Sequence, residues 1–294
     1  MEIRVLRYFL KVAQEESITR AAELLHITQP TLSRQLAQLE EELGVQLLDR
    51  SGRRISLTEQ GLLLRRRAEE IVLLADKAER ELSEQGALVG GRISIGCGEI
   101  ASVQQLAALC AAFHERFPLV TFELFTATAD QVRERMDRGL LDVGLLLEPV
   151  DTDRYDYIRM NVREEWGVLM RADDPLAERT AIAAADLAHR PLILPQRNNI
   201  QSELSRWFGD LHPSLNVLFT SNLSTNSAVM VQQGLGYSLI VRGSLPFLDQ
   251  SRLVFRPLAP ALTAGSVLAW RRGQPRALAA SRFIDLIKCF SGMI

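Results

Sequence analysis

The period of the hydrophobic positions changes twice along this 294-residue chain. Over the first 58 residues it is helical. Ile3, Leu6, Leu10 and Ala13 fall 3, 4 and 3 apart, one face of a helix. Ser17 is placed to cap a second helix that turns Ala21, Ala22, Leu24 and Leu25 inward. Residues 26–30 read as a tight connection. Thr28 suits an N-cap, and Pro30 is tolerated in a first turn because its missing N–H would have no helical partner there. Leu32, Leu36, Leu39 and Leu43, spaced 4, 3 and 4, predict a third helix that Gly44 stops. Ser51-Gly52 then separates two short apolar stretches, the pattern of a small hairpin. Thr58-Glu59 opens a long helix to about residue 85. Along it Leu64, Ala68, Ile71, Ala75, Ala78 and Leu82 are spaced 4, 3, 4, 3 and 4, an a/d seam. Such a seam serves a dimer. The alternative is a helix packed on its own domain, but about 27 residues span about 40 Å, long for that role, so a dimerising linker is expected.

Past a glycine-containing joint at 86–91 the pattern becomes strands alternating with helices. Strands are predicted at 92–97, 120–126 and 141–147, with helices at 102–117 and 130–138 between them, a parallel βαβαβ half. A second half follows. Its strands fall at 166–170, 192–194, 217–220, 237–241, 253–257 and 266–270, its helices at 201–208 and 224–233, and a last helix at 276–290. The expected class is α/β overall, in three parts: a helical unit with a hairpin (1–58), a long linker helix (59–86) and a two-lobed α/β unit (91–294). Lobe I would take 91–160 and 266–294, and lobe II 161–265. Ligands of open α/β sheets bind outside the C-terminal strand ends, near helix N-termini.

The chemistry sharpens the first part. The third helix turns Thr31, Ser33, Arg34, Gln35 and Gln38 away from its leucines. Arg and Gln read base edges in a major groove, so this face suits DNA, although a plain solvated face has the same composition. The hairpin carries Arg50, Arg53 and Arg54, and a basic hairpin beside such a helix grips phosphates. Against this, basic and acidic residues balance over 1–58, so Glu40, Glu41 and Glu42 must face away from DNA. The whole chain is near neutral, with a net charge of −2, which excludes non-specific coating of nucleic acid by charge alone. Three scattered cysteines give no disulfide framework, and four scattered histidines give no metal-ligand spacing. No stretch reads as a signal peptide or membrane span, so a cytoplasmic protein is expected. Nucleophile-elbow, phosphate-loop, dinucleotide and zinc-protease motifs are absent, so no enzyme is expected.

Residues 17–25, 28–35, 39–44 and 57–61 together resemble the LysR-type transcriptional regulators closely, and Gly139–Gly144 and Val231–Gly236 resemble that family's sensor corners. The resemblance covers essentially the whole chain. It implies a winged helix–turn–helix, a linker helix that pairs antiparallel, and a sensor like a periplasmic binding protein. A metabolite in the interlobe cleft would change how a tetramer bends promoter DNA. By position, Gln29, Pro30, Thr31, Ser33 and Arg34 match the recognition-helix contacts, Thr19 and Arg20 the start of the positioning helix, and Arg50, Arg53 and Arg54 the wing. Thr31 and Ser33 are also suited to capping their own helix.

The effector site is expected from Glu99, Ala101, Ser102, Thr126, Thr128 and Glu148 of lobe I and Gln196, Arg197, Asn198, Ser224 and Thr225 of lobe II. Hydroxyls and free amides at helix starts suit a carboxylate, and Arg197 would strengthen the site. Glu99 and Glu148 would repel an anion unless an amine, a hydroxyl or Arg197 answers them. The ordinary alternative for each residue is capping or a solvated loop. The expected partners are double-stranded promoter DNA, a small polar effector of carboxylate type, further copies of the chain as a dimer or tetramer, and RNA polymerase. No membrane partner, metal or cofactor is expected. The family's peroxide sensors use two cysteines in lobe II, where this chain has none, so Cys97 reads as a plain buried thiol.

Overall fold

The computed structural model describes residues 1–51, 54–83 and 89–291. It contains two compact units, the first being Met1–Ser83. That unit starts with α1 (Ile3–Glu15), α2 (Ile18–Leu24) and α3 (Gln29–Leu43). The predicted caps are in place. Ser17 accepts the Arg20 N–H at 3.3 Å, and Thr28 accepts the Thr31 N–H at 3.4 Å. Gly44 ends α3 at φ 67°, a left-handed conformation that disfavours side chains. A two-stranded ladder, β1 (Leu48–Asp49) with β2 (Ser56–Leu57), forms the wing. The unit closes with α4 (Glu59–Ser83), capped by Thr58, whose hydroxyl also donates to the Gln46 carbonyl. Gly61 lets α4 start hard against the wing, since a Cβ there would overlap the Leu47 carbonyl.

The core of this unit joins Leu6 and Phe9 of α1, Ala21 and Ala22 of α2, and Leu32, Leu36 and Leu39 of α3. Ile3, Leu24 and Leu43, which the spacing put on buried faces, are exposed by 44%, 41% and 39%. They sit at helix ends, beyond the reach of the neighbouring helices.

The linker seam divides. Ala68 is fully buried in this same core, and Leu64 and Ile71 pack against it. Arg7 of α1 pairs with Asp76 of α4. The first half of the seam is therefore taken by the helix's own domain rather than by a partner. Ala75 is half-buried, while Ala78 and Leu82 are exposed, Leu82 by 69%. On another side of α4, Leu62, Leu63, Leu73 and Leu74 are all exposed. Positions 62, 63, 73 and 74 share one face at 3.6 residues per turn.

The second unit opens with β3 (Gly91–Cys97), α5 (Val103–Arg116), β4 (Val120–Thr126), α6 (Ala129–Asp137), β5 (Val143–Leu147) and β6 (Tyr155–Arg159). The chain then crosses to a second sheet. There it forms β7 (Glu164–Arg171), β8 (Ile182–Ala183), α7 (Ala184–Leu187), β9 (Pro191–Pro195), α8 (Asn198–Phe208), β10 (Asn216–Ser221), α9 (Ser224–Gln232), β11 (Tyr237–Val241), β12 (Leu253–Ala259) and β13 (Thr263–Ala264). It returns to the first sheet with β14 (Ser266–Arg271) and α10 (Leu278–Ser291). The first sheet has the order β4-β3-β5-β14-β6, and the second β10-β9-β11-β7-β12-β8, with β13 on β7. The first three strands are parallel, as the βαβαβ pattern predicts, while β14 and β6 run antiparallel to their neighbours. Two lobes thus share two crossings, one just before Glu164 and one just before Ser266.

The short strands β8 and β13 and the edge strand β6 were not predicted from the sequence. Aromatic and charged residues on the exposed edge of β6 blur its alternation. No described helix is long and apolar enough to cross a membrane.

Candidate functional site

On the first unit, α3 turns one face to solvent. Pro30, Thr31 and Arg34 are exposed there with Gln38, while Ser33 is half-buried on the flank. Gln29, at the start of the helix, is exposed as well. Arg34 has no hydrogen-bond or ion-pair partner among the described residues, so its guanidinium is available. The Thr31 hydroxyl lies 2.8 Å from that of Thr28, which ties it to the cap. Thr19 and Arg20 are exposed at the start of α2, where Arg20 pairs with Glu23 at 2.9 Å.

The wing arginines differ from one another. Arg50 turns to Glu40 at 3.1 Å, and the same carboxylate accepts the Leu47 and Leu48 N–H groups at 2.7 and 3.0 Å. Arg50 is thus a tie between wing and α3 rather than a free phosphate grip. Arg54 stays open, its side chain 82% exposed although within 3.3 Å of Glu16. Arg53 lies outside the described residues. The acidic triplet is partly resolved by the same contacts: Glu40 is spent on the wing, and Glu42 meets the Met1 amino group at 2.7 Å. Glu41 remains exposed on the last turn of α3, about 15 Å along the axis from Thr31.

On the second unit, a cavity of about 90 Å³ lies between the lobes. Of the expected effector residues it gathers Glu99, Thr128, Gln196, Arg197 and Ser224. Ala101, Ser102, Thr126, Glu148, Asn198 and Thr225 do not line it. The walls are mainly apolar, with Ile100, Leu147, Trp166, Ile200, Leu239 and Val241 prominent.

Each charged group expected to meet ligand is instead engaged by protein. The Glu99 carboxylate reaches across the cleft to the start of α9. It accepts the Ser224 N–H at 2.5 Å, the Thr225 N–H at 3.0 Å and the Thr225 hydroxyl. An anion is stabilised at that end by free N–H groups and the helix dipole. Arg197, nearly buried, reaches the other way. Its Nε donates to Asp130 at 3.0 Å, and its terminal nitrogens donate to the Leu147 and Pro149 carbonyls at 2.7 and 2.5 Å. The cleft therefore carries two opposite interlobe ties.

A third carboxylate, Glu164, escaped the sequence reading. It is fully buried and accepts the Ala101 and Ser102 N–H groups at 2.9 and 3.0 Å, together with the Ser102 hydroxyl. That hydroxyl also contacts Ser266 at 2.5 Å. Ser102 is thus not a ligand donor but part of a buried polar knot at the lobe crossings. Glu148 lies beside Gly265 and 3.7 Å from Arg159, outside the cavity wall. Thr128 caps α6 in a capping box with Gln131, and Ser202 donates to the Asn198 carbonyl at 3.0 Å. Arg197 and the amides of Ala101, Ser102, Ser224 and Thr225 are occupied by the chain itself.

Trp166, Asp130, Ser227 and Ser238 were not anticipated either. Ser238 donates to Ser227, which donates to the Ser224 carbonyl. Burial raises the Cys97 thiol and pushes that of Cys110 up to about 11, so both stay protonated and unreactive at neutral pH. No described group of His, Cys, Asp and Glu is arranged to hold a metal ion.

A helix–turn–helix with a wing, joined in one chain to a two-lobed α/β unit that encloses a cavity, defines a ligand-sensing DNA-binding regulator. The comparisons agree. The family model "Bacterial regulatory helix-turn-helix protein, lysR family" matches residues 3–62, and "LysR substrate binding domain" matches residues 86–290. The uncharacterized HTH-type transcriptional regulator YvbU of Bacillus subtilis is 30% identical over 98% of this chain and 98% of its own. The Hca operon transcriptional activator HcaR of Escherichia coli is 33% identical over 93% of each. In fold, full-length CbnR complexed with its target DNA matches with a TM-score of 0.75 at 22% identity, over 98% of this chain and 99% of that one. The chain belongs to the LysR family of transcriptional regulators.

Proposed function

We propose that the protein binds promoter DNA sequence-specifically through α3 and the wing, and that a small molecule held between the sensor lobes alters how its oligomer holds that DNA. The observation that supports this most is the exposed Arg34 on the outward face of α3, without a partner among the described residues, since a guanidinium can read guanine bidentately in a major groove. Thr31, Gln29 and Pro30 line the same approach, with Ser33 at its flank. Thr19, Arg20 and Arg54 serve phosphates at the margins. Arg50 acts indirectly, by fixing the wing. LysR-family members are transcriptional regulators, and the reading gives this chain no catalytic step. The protein acts in the cytoplasm, where the chromosome and RNA polymerase are.

Self-association runs through α4, on the face of Leu62, Leu63, Leu73 and Leu74. Four exposed leucines on one helix are costly to leave in water, at about 25 cal/mol per Å² of apolar area. Dimers of these dimers would give the tetramer. The test is a gel shift and footprint on the DNA immediately upstream of the protein's own gene, in moderate salt with competitor. Protection over several helical turns supports the reading. Equal affinity for that DNA and for random DNA would refute sequence-specific binding there.

A further inference from the structure

The charges in the wall of the sensor cavity are already paired. Its two charged wall residues, Glu99 and Arg197, are both engaged by protein partners across the cleft. The hydroxyls of Ser227 and Ser238 are linked to each other and to the Ser224 carbonyl. Gln196, Asn222 and the Ser224 hydroxyl add polar groups to the wall, but among its fully buried side-chain polar groups one is left without a partner among the described residues. Trp166 is only 3% exposed, lines the cavity, and its Nε1–H has no partner among the described residues. An indole N–H only donates, and a buried donor without an acceptor is unfavourable.

Building on the effector role proposed for this cavity, we propose that its ligand is a compact, uncharged, largely apolar molecule whose carbonyl or ether oxygen accepts the Trp166 Nε1–H. The apolar walls take the body of the ligand, and the orphan donor fixes its orientation. A free anion would find Arg197 and the start of α9 already filled, and would lie beside Glu99. A cation would have to detach Glu99 from the α9 start. Size narrows the class further. An apolar cavity of about 150 Å³ admits benzene, with six non-hydrogen atoms, so 90 Å³ suits about four as the walls stand and about six once side chains adjust.

The test uses full-length protein labelled with 15N at its indoles and three probes of like size: cyclopentanone, methylcyclopentane and isobutyrate. The Trp166 indole resonance is assigned by its loss in Trp166→Phe. Cyclopentanone at millimolar concentration is expected to move that resonance downfield, methylcyclopentane to bind more weakly without that shift, and isobutyrate to leave it in place. In Trp166→Phe, which keeps an aromatic wall, the ketone should bind about tenfold more weakly and lose its advantage over the hydrocarbon.

A Trp166 resonance unmoved by the ketone, a preference for isobutyrate, or full ketone affinity in Trp166→Phe would each overturn the proposal. A DNA footprint measured alongside keeps the two readings apart. Ketone binding at Trp166 with an unchanged footprint counts against the effector role and leaves the ligand chemistry standing. A footprint that responds only to isobutyrate keeps the effector role and overturns the ligand chemistry.

Discussion

Replacing Glu99 by alanine should loosen the sensor by a measurable amount. The carboxylate holds two backbone N–H groups at the start of α9, at 2.5 and 3.0 Å, and the Thr225 hydroxyl. A hydrogen bond to a charged group contributes about 1.5–3 kcal/mol net, and an anion at a helix start about 0.3–1 kcal/mol more. Glu99 is half-buried, so water takes up part of what the carboxylate releases, and the expected loss is about 2 kcal/mol. For a unit of this size each kcal/mol moves the unfolding midpoint by about 2–4 °C. The sensor midpoint should therefore fall by about 4–8 °C. Glu99→Gln, which keeps one acceptor oxygen, should lose about half as much. All three tryptophans, Trp166, Trp207 and Trp270, lie in the second unit, so tryptophan fluorescence during heating reports the sensor alone. Formate should restore part of the midpoint in Glu99→Ala by filling the vacated helix end, and should leave the native protein unchanged. An alanine variant with the native midpoint and no response to formate would refute the interlobe tie.

Arg34→Ala should cost about 1–3 kcal/mol on operator DNA, roughly 5- to 150-fold in affinity, and little on random DNA, as read by fluorescence anisotropy. Equal loss on both would make Arg34 a phosphate contact. Leu62→Glu with Leu73→Glu should dissociate the oligomer in analytical ultracentrifugation while the first unit stays folded. Ile71→Asp should instead lower that unit's stability by about 2–4 kcal/mol, because it places a charge against the unit's own core. Burial, and then the hydrogen bond to Asp174, push the Tyr237 phenol from 10.0 up to about 12. Its raised value means that its contribution to stability is whole below pH 10 and is lost as pH rises to about 12. Spectrophotometric titration should show this tyrosine ionising late, and in Tyr237→Phe the loss of stability over that window should shrink.

The first unit was largely legible because its signals are local. The 4-3-4 leucine spacing of α3, the Thr28 cap and Pro30 all lie within one helix, and each does locally what its chemistry suggests. The seam of α4 was legible as a period but not as a partner. A repeat shows which side chains align, and only the position of α1 decides that Ala68 and Ile71 turn to their own domain. The sensor strands were readable from their apolar runs. Its charges were not. Glu164 precedes an apolar strand and looks like a solvated end, yet it serves N–H groups 62 and 63 positions earlier in the chain. Glu99 and Arg197 were correctly placed at the cleft, but their partners lie 125 and 67 residues away, on the opposite lobe. Spacing along the sequence cannot show whether a cleft charge faces ligand or the other wall.

The most direct measurement is selection of binding sites from a pool of random duplex DNA by the full-length protein, run in parallel with Arg34→Ala. The account predicts that the native protein enriches one motif of paired half-sites about a helical turn or more apart, and that Arg34→Ala enriches it weakly or with one base position relaxed. A native protein that enriches no motif, or an Arg34→Ala protein that enriches the same motif equally well, would contradict it.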